Sequence, residues 1–254
     1  MGHPDPIAFT IFGIDIRWYG ILIACGMLLA TLISCKRAPR HGITDEDVLD
    51  IVIWMLPIGV IGARLYYVLF NLDYYSSLSS VLDIRSGGLA IHGGLLFGLV
   101  TVLIICRCKK IEPLNVLDLF IPTVALAQSI GRWGNFFNGE AHGGPTDLPW
   151  GILVDGVRVH PTFLYESIWC LLLFIALSWF NKNKRYANGQ TIALYFIFYS
   201  IERFLVEAFR TDSLMIGPFK QAQIISLAAI IIGAVLYRYA SIHKRIRSPE
   251  NMPE

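Results

Sequence analysis

The stretch Val48-Leu-Asp-Ile-Val-Ile-Trp-Met-Leu-Pro-Ile-Gly-Val-Ile-Gly-Ala-Arg-Leu-Tyr-Tyr-Val-Leu-Phe70 decides the fold. Its only charges are Asp50 near one end and Arg64 near the other. A helix rising about 1.5 Å per residue needs about 20 such residues to cross a bilayer. Six more stretches of this kind occur, at 17–35, 87–106, 114–131, 161–180, 191–210 and 219–237. Together the seven cover more than half of the 254 residues. The fourth is interrupted by Pro122, which a membrane helix tolerates when neighbours satisfy the freed carbonyl. The expected fold is therefore all-α and polytopic, with seven transmembrane helices forming a single integral membrane domain over 1–254.

Composition agrees. Hydrophobic residues make up 55% of the chain and charged residues 16%, with a mean hydropathy of +0.56. Soluble domains carry about 25% charged residues. A water-soluble enzyme and a disordered chain are disfavoured, and a net charge of +2 is too small to imply a nucleic-acid partner. The five cysteines lie in or beside apolar runs, an odd count that argues against a disulfide framework. Cys106-Arg107-Cys108 reads as a helix end rather than a metal site.

The connecting segments set the orientation. Lys36, Arg37 and Arg40 follow the first span, and Arg107, Lys109 and Lys110 the third. Lys182, Lys184 and Arg185 follow the fifth, and Arg238, Lys244, Arg245 and Arg247 the seventh. The alternate segments hold only Arg17, Arg85, Arg132, Arg158, Arg210 and Lys220. Cytoplasmic loops are enriched in Lys and Arg, which puts the N-terminus outside and the C-terminus inside. The start of the chain lacks a basic region, so the first span reads as retained. The substantial outer segment is 132–160, a small extracytoplasmic head. Within it Asp155-Gly156 separates two β-branched runs and predicts a β-hairpin. The rest of the segment reads as irregular.

Charged groups inside a span cost roughly 2.5–3.5 kcal/mol each on insertion scales, so each needs a reason. With the orientation above, Tyr19, Arg64, His92, Arg132, Glu166, Glu202, Arg203, Glu207 and Arg210 all fall at outer-leaflet depth. Asp50 and Asp118 lie near inner ends, where water or inner-loop lysines would meet them. Structural readings compete with functional ones. Arg203 and Glu207, four apart on one helix face, could simply pair. Glu166 could hold a neighbouring helix through Arg64, His92 could be a satisfied interior histidine, and Tyr19 could be an interface anchor. The run Gly131-Arg-Trp-Gly-Asn-Phe-Phe-Asn-Gly-Glu-Ala-His-Gly-Gly144 is the densest in polar groups. Exposed glycine backbone and a planar guanidinium suit a phosphate. Several arginines with a histidine and carboxylates at headgroup depth point to an enzyme acting on phospholipid. A phospholipid-binding transporter is the alternative, though its site is expected near the midplane at broken helices. A serine protease lacks its Gly-x-Ser-x-Gly setting.

The same residues carry a family resemblance. Gly131-Arg132-x-Gly134-Asn135-Phe136-x-Asn138-x-Glu140-x-x-Gly143 resembles the signature of prolipoprotein diacylglyceryl transferases. Arg17-Trp18-Tyr19-Gly20, Gly62-Ala63-Arg64, His92-Gly93-Gly94, His160-Pro161-x-x-Leu164-Tyr165-Glu166 and Arg203-x-x-x-Glu207-x-x-Arg210 resemble its other motifs. The resemblance implies transfer of the diacylglyceryl group of phosphatidylglycerol to the lipobox cysteine of a prolipoprotein signal peptide. The products are a thioether and glycerol 1-phosphate, in the first step of bacterial lipoprotein maturation. It implies the outer face of the bacterial cytoplasmic membrane, and neither cofactor nor metal. Under it, His92 is the expected general base, with Arg132 and Arg203 stabilising the leaving phosphate. The alternative to a dedicated base is an arginine-rich field that lowers the pKa of the substrate thiol. Tyr19, Asn135 and Glu140 complete the expected catalytic set. Asn138, Gly143, Arg64, Glu166, Glu207 and Arg210 join Arg132 and Asn135 in holding the lipid. A CDP-alcohol phosphatidyl transferase is disfavoured, since Asp155-Gly156-Val-Arg158 lacks its motif spacing.

Overall fold

A computed structural model describes residues 4–75, 77–84, 87–211 and 213–246. Arg85 and Arg247, part of the charge pattern above, lie outside the described residues. The chain is mostly helical: α1 Trp18–Arg37, α2 Asp45–Leu69, α3 Leu78–Leu82, α4 Ile91–Lys109, α5 Pro113–Asn138, α6 Thr162–Asn183, α7 Gln190–Phe209 and α8 Gln221–His243. Six of these, α1, α2, α4, α5, α6 and α8, are long and apolar enough to cross a membrane. The expectation of seven thus narrows to six on this measure. The remaining long helix, α7, spans 20 residues but carries Glu202, Arg203 and Glu207.

The chain forms two compact units, Ser34–Val116 and the residues on either side of it. In the Ser34–Val116 unit, α2 begins with a capping box. Thr44 Oγ1 accepts from the Asp47 amide and Asp47 accepts from the Thr44 amide. Lys109 Nζ lies 2.7 Å from both Asp47 and Asp50, tying the end of α4 to the start of α2. Asp50 thus meets a lysine, as its position suggested. The two helices pack through glycine. A Cβ on Gly93 would lie 2.3 Å from the Gly62 carbonyl oxygen, and one on Gly62 would lie 2.3 Å from the Phe97 ring. Close backbone approach of this kind is typical of membrane helix pairs.

In the other unit, α5 and α6 are clasped by two serines. Ser129 Oγ donates to the Ser167 carbonyl at 2.8 Å, and Ser167 Oγ to the Ser129 carbonyl at 2.9 Å. Trp133 Nε1 adds a bond to Ser167 Oγ at 3.1 Å. Ala125, Leu173, Leu177 and Tyr195 form a buried cluster among α5, α6 and α7. Asp118 departs from its expected surroundings. It is fully buried, accepts from the amides of Gly189 at 2.8 Å and Ile192 at 2.9 Å, and lies 3.4 Å from Arg185. A carboxylate from α5 thereby caps the first turn of α7, whose own N-cap, Gly189, has no side chain to do so.

Three two-stranded antiparallel sheets occur among the described residues. β1 (Ile7–Ile11) and β2 (Ile14–Arg17) precede α1 and turn at Phe12-Gly13, both with positive φ. The sequence reading assigned nothing to this hairpin. β3 (Ile152–Val154) and β4 (Val157–Val159) turn at Asp155-Gly156, again both with positive φ. β5 (Met215–Ile216) and β6 (Phe219–Lys220) join α7 to α8. Residues 143–146, expected to be irregular, run as an extended strip between β4 and the end of α7. The Gly143 amide donates to the His160 carbonyl, that of Gly144 to Phe209 and that of Thr146 to Arg158.

These contacts separate two aspartates by burial. Asp118→Ala strips two amides and a guanidinium of their acceptor and is expected to cost about 1–3 kcal/mol. Asp50→Ala, at a half-exposed ion pair, is expected to cost less than about 1 kcal/mol. Thermal unfolding in detergent checks the order, and equal losses would contradict it.

Candidate active site

The polar groups of α5, α6 and α7 form one chain of ion pairs. Glu166 is at its centre, fully buried. Its Oε2 lies 3.0 Å from Arg132 Nη1, and its Oε1 accepts from Arg203 Nη1 at 3.2 Å. Arg203 Nη2 reaches Glu207 Oε2 at 2.8 Å, and Arg210 Nε lies 3.9 Å from that oxygen. The Arg203–Glu207 pair considered from sequence therefore exists, and it is one link in a longer relay. Glu166 pairs with Arg132 and Arg203.

Helix geometry explains the relay. Arg203, Glu207 and Arg210 stand at i, i+4 and i+7 and share one face of α7. Glu166 lies one residue from Ser167, so the serine clasp of α6 on α5 sets its height beside Arg132. Lys220 fixes the far end. Its Nζ donates to the carbonyls of Glu207 at 2.6 Å and Arg210 at 2.8 Å, a cation on the C-terminus of α7. Arg132 Nη2 donates to Tyr199 Oη at 3.3 Å. The relay holds three arginines against two carboxylates. The Arg132 and Arg203 side chains stay 19% and 23% exposed.

The glycine-rich run follows from the end of α5. Gly139, with φ +66°, closes the helix: its amide donates to Phe136 and that of Glu140 to Asn135, a Schellman arrangement. Asn138 Nδ2 donates to Glu140 Oε1 at 3.1 Å, while its Oδ1 is buried without a hydrogen-bond partner. Asn135, Glu140, His142, Arg158 and the β3 strand line a cavity of about 390 Å³. Arg17, Tyr19 and Asn138 line a second, of about 620 Å³. Tyr19 lies against Gly134, where a Cβ would come within 2.3 Å of the ring. Gly143 is bridged to Arg210 and faces the His160 Cβ, which a side chain there would strike. Tyr19, Gly143 and the signature residues thus belong to the same unit as the relay.

His92 and Arg64 belong to the Ser34–Val116 unit. His92 is exposed in the first turn of α4, with its ring 6.1 Å from Tyr66. Arg64 is buried and donates to four carbonyls, those of Ser80 and Val81 at 2.8 Å, Gly87 at 2.6 Å and Gly88 at 3.0 Å. It also sits 5.0 Å from the Tyr75 ring. These contacts hold the backbone of Ser80, Val81, Gly87 and Gly88 in place.

The sequence reading did not single out Tyr199, Lys220, Ser129 or Ser167. Tyr199 stands four residues before Arg203, so its place on the arginine face was legible. Lys220 and the serines act through backbone atoms distant in sequence, and no local pattern marks them.

What the fold and this relay define is a multi-pass membrane protein with a buried arginine–glutamate network. The family model for prolipoprotein diacylglyceryl transferase matches residues 6–239. Three relatives, each named phosphatidylglycerol–prolipoprotein diacylglyceryl transferase, cover nearly the whole chain. The relative from Clostridioides difficile is 57% identical over 93% of this chain and 96% of its own length. That from Finegoldia magna is 51% identical over 91% and 94%. That from Clostridium novyi is 45% identical over 95% and 98%. The chain belongs to the prolipoprotein diacylglyceryl transferase family.

Glu166 tests the relay itself. Glu166→Gln leaves two arginines without their shared carboxylate and is expected to cost about 3–5 kcal/mol, the range for breaking a buried pair from one side. Thermal unfolding in detergent, with the exposed Asp147→Asn as control, reads the loss. Unfolding that matches the control would contradict the relay.

Proposed function

We propose that this chain transfers the diacylglyceryl group of phosphatidylglycerol to the lipobox cysteine thiol of prolipoproteins. A thioether forms and glycerol 1-phosphate leaves. The observation that carries this reading is the relay on Glu166, which holds Arg132 and Arg203 side by side among apolar helices. Family membership supplies the reaction, and the relay supplies a physical reason for it.

The thiol sulfur attacks the glyceryl carbon bearing the phosphate, and the carbon–oxygen bond breaks. Its electron pair passes to the phosphate oxygen, so negative charge grows on the leaving group. Arg132 and Arg203 meet that charge. Their guanidinium planes are already oriented by Glu166 and Glu207, so little reorganisation is needed as the barrier is crossed. Glu207 positions Arg203, and Arg210 extends the positive strip toward Gly143. Asn135, Asn138 and Glu140 hold the headgroup hydroxyls and shape the glycine-rich turn. Tyr19 covers the turn through Gly134. His92 removes the thiol proton, an assignment resting on imidazole chemistry. Arg64 acts on the lipid by holding the backbone of Ser80, Val81, Gly87 and Gly88.

In this reading the two compact units make up one integral membrane domain. α7 crosses the bilayer as a seventh span, sheltering its charges against α5 and α6. The N-terminus and the 132–160 head lie outside, and the C-terminus is cytoplasmic. The reaction then takes place at the outer face of the bacterial cytoplasmic membrane, supported by the clusters at Lys36 to Arg40 and Lys182 to Arg185.

Purified protein incubated with phosphatidylglycerol and a lipobox peptide is expected to release glycerol phosphate only when the peptide cysteine is present. Lipid movement without release would favour a transporter. Arg132→Gln and Arg203→Gln are each expected to lower the transfer rate by at least about a hundredfold. His92→Asn is expected to lower it as well. An unchanged rate would leave the arginine field alone to activate the thiol.

A further inference from the structure

We propose that the free edge of β3 binds the extended segment of the substrate peptide that follows the lipobox cysteine, an inference resting on the transferase reading above. β4 is the middle of a small sheet. It pairs with β3 on one side and with residues 143–146 on the other, where the Thr146 amide donates to the Arg158 carbonyl at 2.9 Å. Arg158 stands opposite Leu153. Opposed residues in an antiparallel ladder aim their backbone groups alternately toward each other and away. Arg158 aims away from β3, so Leu153 aims away from β4. Its amide and carbonyl point out of the sheet edge, without a hydrogen-bond partner among the described residues. Leu153 is 43% exposed.

Exposed sheet edges are commonly blunted by charge or proline. Ile152-Leu153-Val154 carries neither. It lines the cavity of about 390 Å³ together with Asn135 and Glu140 of the glycine-rich run. Phe136 and Phe163, whose rings stack at 4.9 Å, line the same space. An extended peptide needs these two things from a site. Unpaired strand groups hold its backbone, and an apolar recess takes an alternate side chain.

Position identifies the occupant. The cavity belongs to the same compact unit as Arg132 and Arg203. It also shares Asn135 and Glu140 with the residues assigned to the lipid headgroup. In the reading above, 132–160 lies outside the bilayer. A thiol held at the relay then leaves its signal peptide in the membrane and its following residues beside this edge. Pairing through backbone reads few side chains. That suits substrates that share a lipobox and continue into different proteins.

Leu153→Pro removes the outward amide and leaves the ladder bonds of Ile152 and Val154, as proline at a sheet edge can. Leu153→Ala keeps the amide and removes the side chain. The full chain in detergent is titrated with two fluorescent peptides bearing Ser in place of the lipobox Cys, so that no transfer occurs. One ends at that position, and the other runs four residues beyond it. The extension is expected to tighten Kd about fivefold, the effect of roughly one net hydrogen bond. That gain is expected in the unsubstituted protein and in Leu153→Ala, and is expected to be absent in Leu153→Pro. Residue-by-residue N-methylation of the extension gives the same information if Leu153→Pro does not accumulate. The gain is then expected to vanish at one residue and persist at its neighbours. An extension without effect, a gain that survives Leu153→Pro, or loss at every methylated residue or at none overturns the proposal. So does a dimer that Leu153→Pro dissociates, which would make a second copy the occupant. Glycerol phosphate release with Cys-bearing peptides keeps the two readings apart. Release without the extension gain defeats the edge alone, and the gain without release defeats the transferase reading.

Discussion

One fully buried carboxylate, that of Glu166 on α6, holds Arg132 of α5 and Arg203 of α7 at the same height. Three helices must keep their register for this to occur, and the surrounding contacts serve that end. The Ser129–Ser167 clasp sets α6 against α5, Asp118 seats the first turn of α7, and Lys220 seats its last. Buried ion pairs contribute little net stability compared with apolar packing of the same volume. Their presence among membrane-length helices is better accounted for by what the arginines do than by what they add to stability.

The Ser34–Val116 unit is organised on another principle. Gly62 and Gly93 let α2 and α4 approach until a single methyl group would clash. Arg64 emerges from α2 beside that crossing and satisfies four carbonyls of the following segment. Gly88, whose φ is +77°, has no room for a Cβ beside Arg64 Nη1. Glycine thus serves helix packing at one end of the motif and guanidinium access at the other.

Much of this was legible in the sequence because it depends on local composition. Apolar runs of membrane length, basic clusters between them and the i, i+4, i+7 spacing of Arg203, Glu207 and Arg210 need no knowledge of distant partners. α7 shows where composition alone runs short, since the charges that shape the site also remove it from the purely apolar helices. Partners brought from far along the chain were not legible. Asp118 looked like a group near water and is an inter-helix cap. Glu166 was weighed as a partner of Arg64 and binds Arg132 and Arg203. The Phe12-Gly13 hairpin escaped notice because strands of five and four residues beside a long apolar run carry too weak an alternation to stand out.

The central claim is that a phosphodiester sits against Arg132 and Arg203. Solid-state NMR of the protein with ¹⁵N-labelled arginine, reconstituted in phosphatidylglycerol bilayers, measures it through ³¹P–¹⁵N dipolar dephasing of guanidinium nitrogens. Dephasing of two guanidinium signals, one removed by Arg132→Lys and the other by Arg203→Lys, is the predicted result. Dephasing that survives both substitutions, or arises only at arginines outside the relay, would contradict the claim.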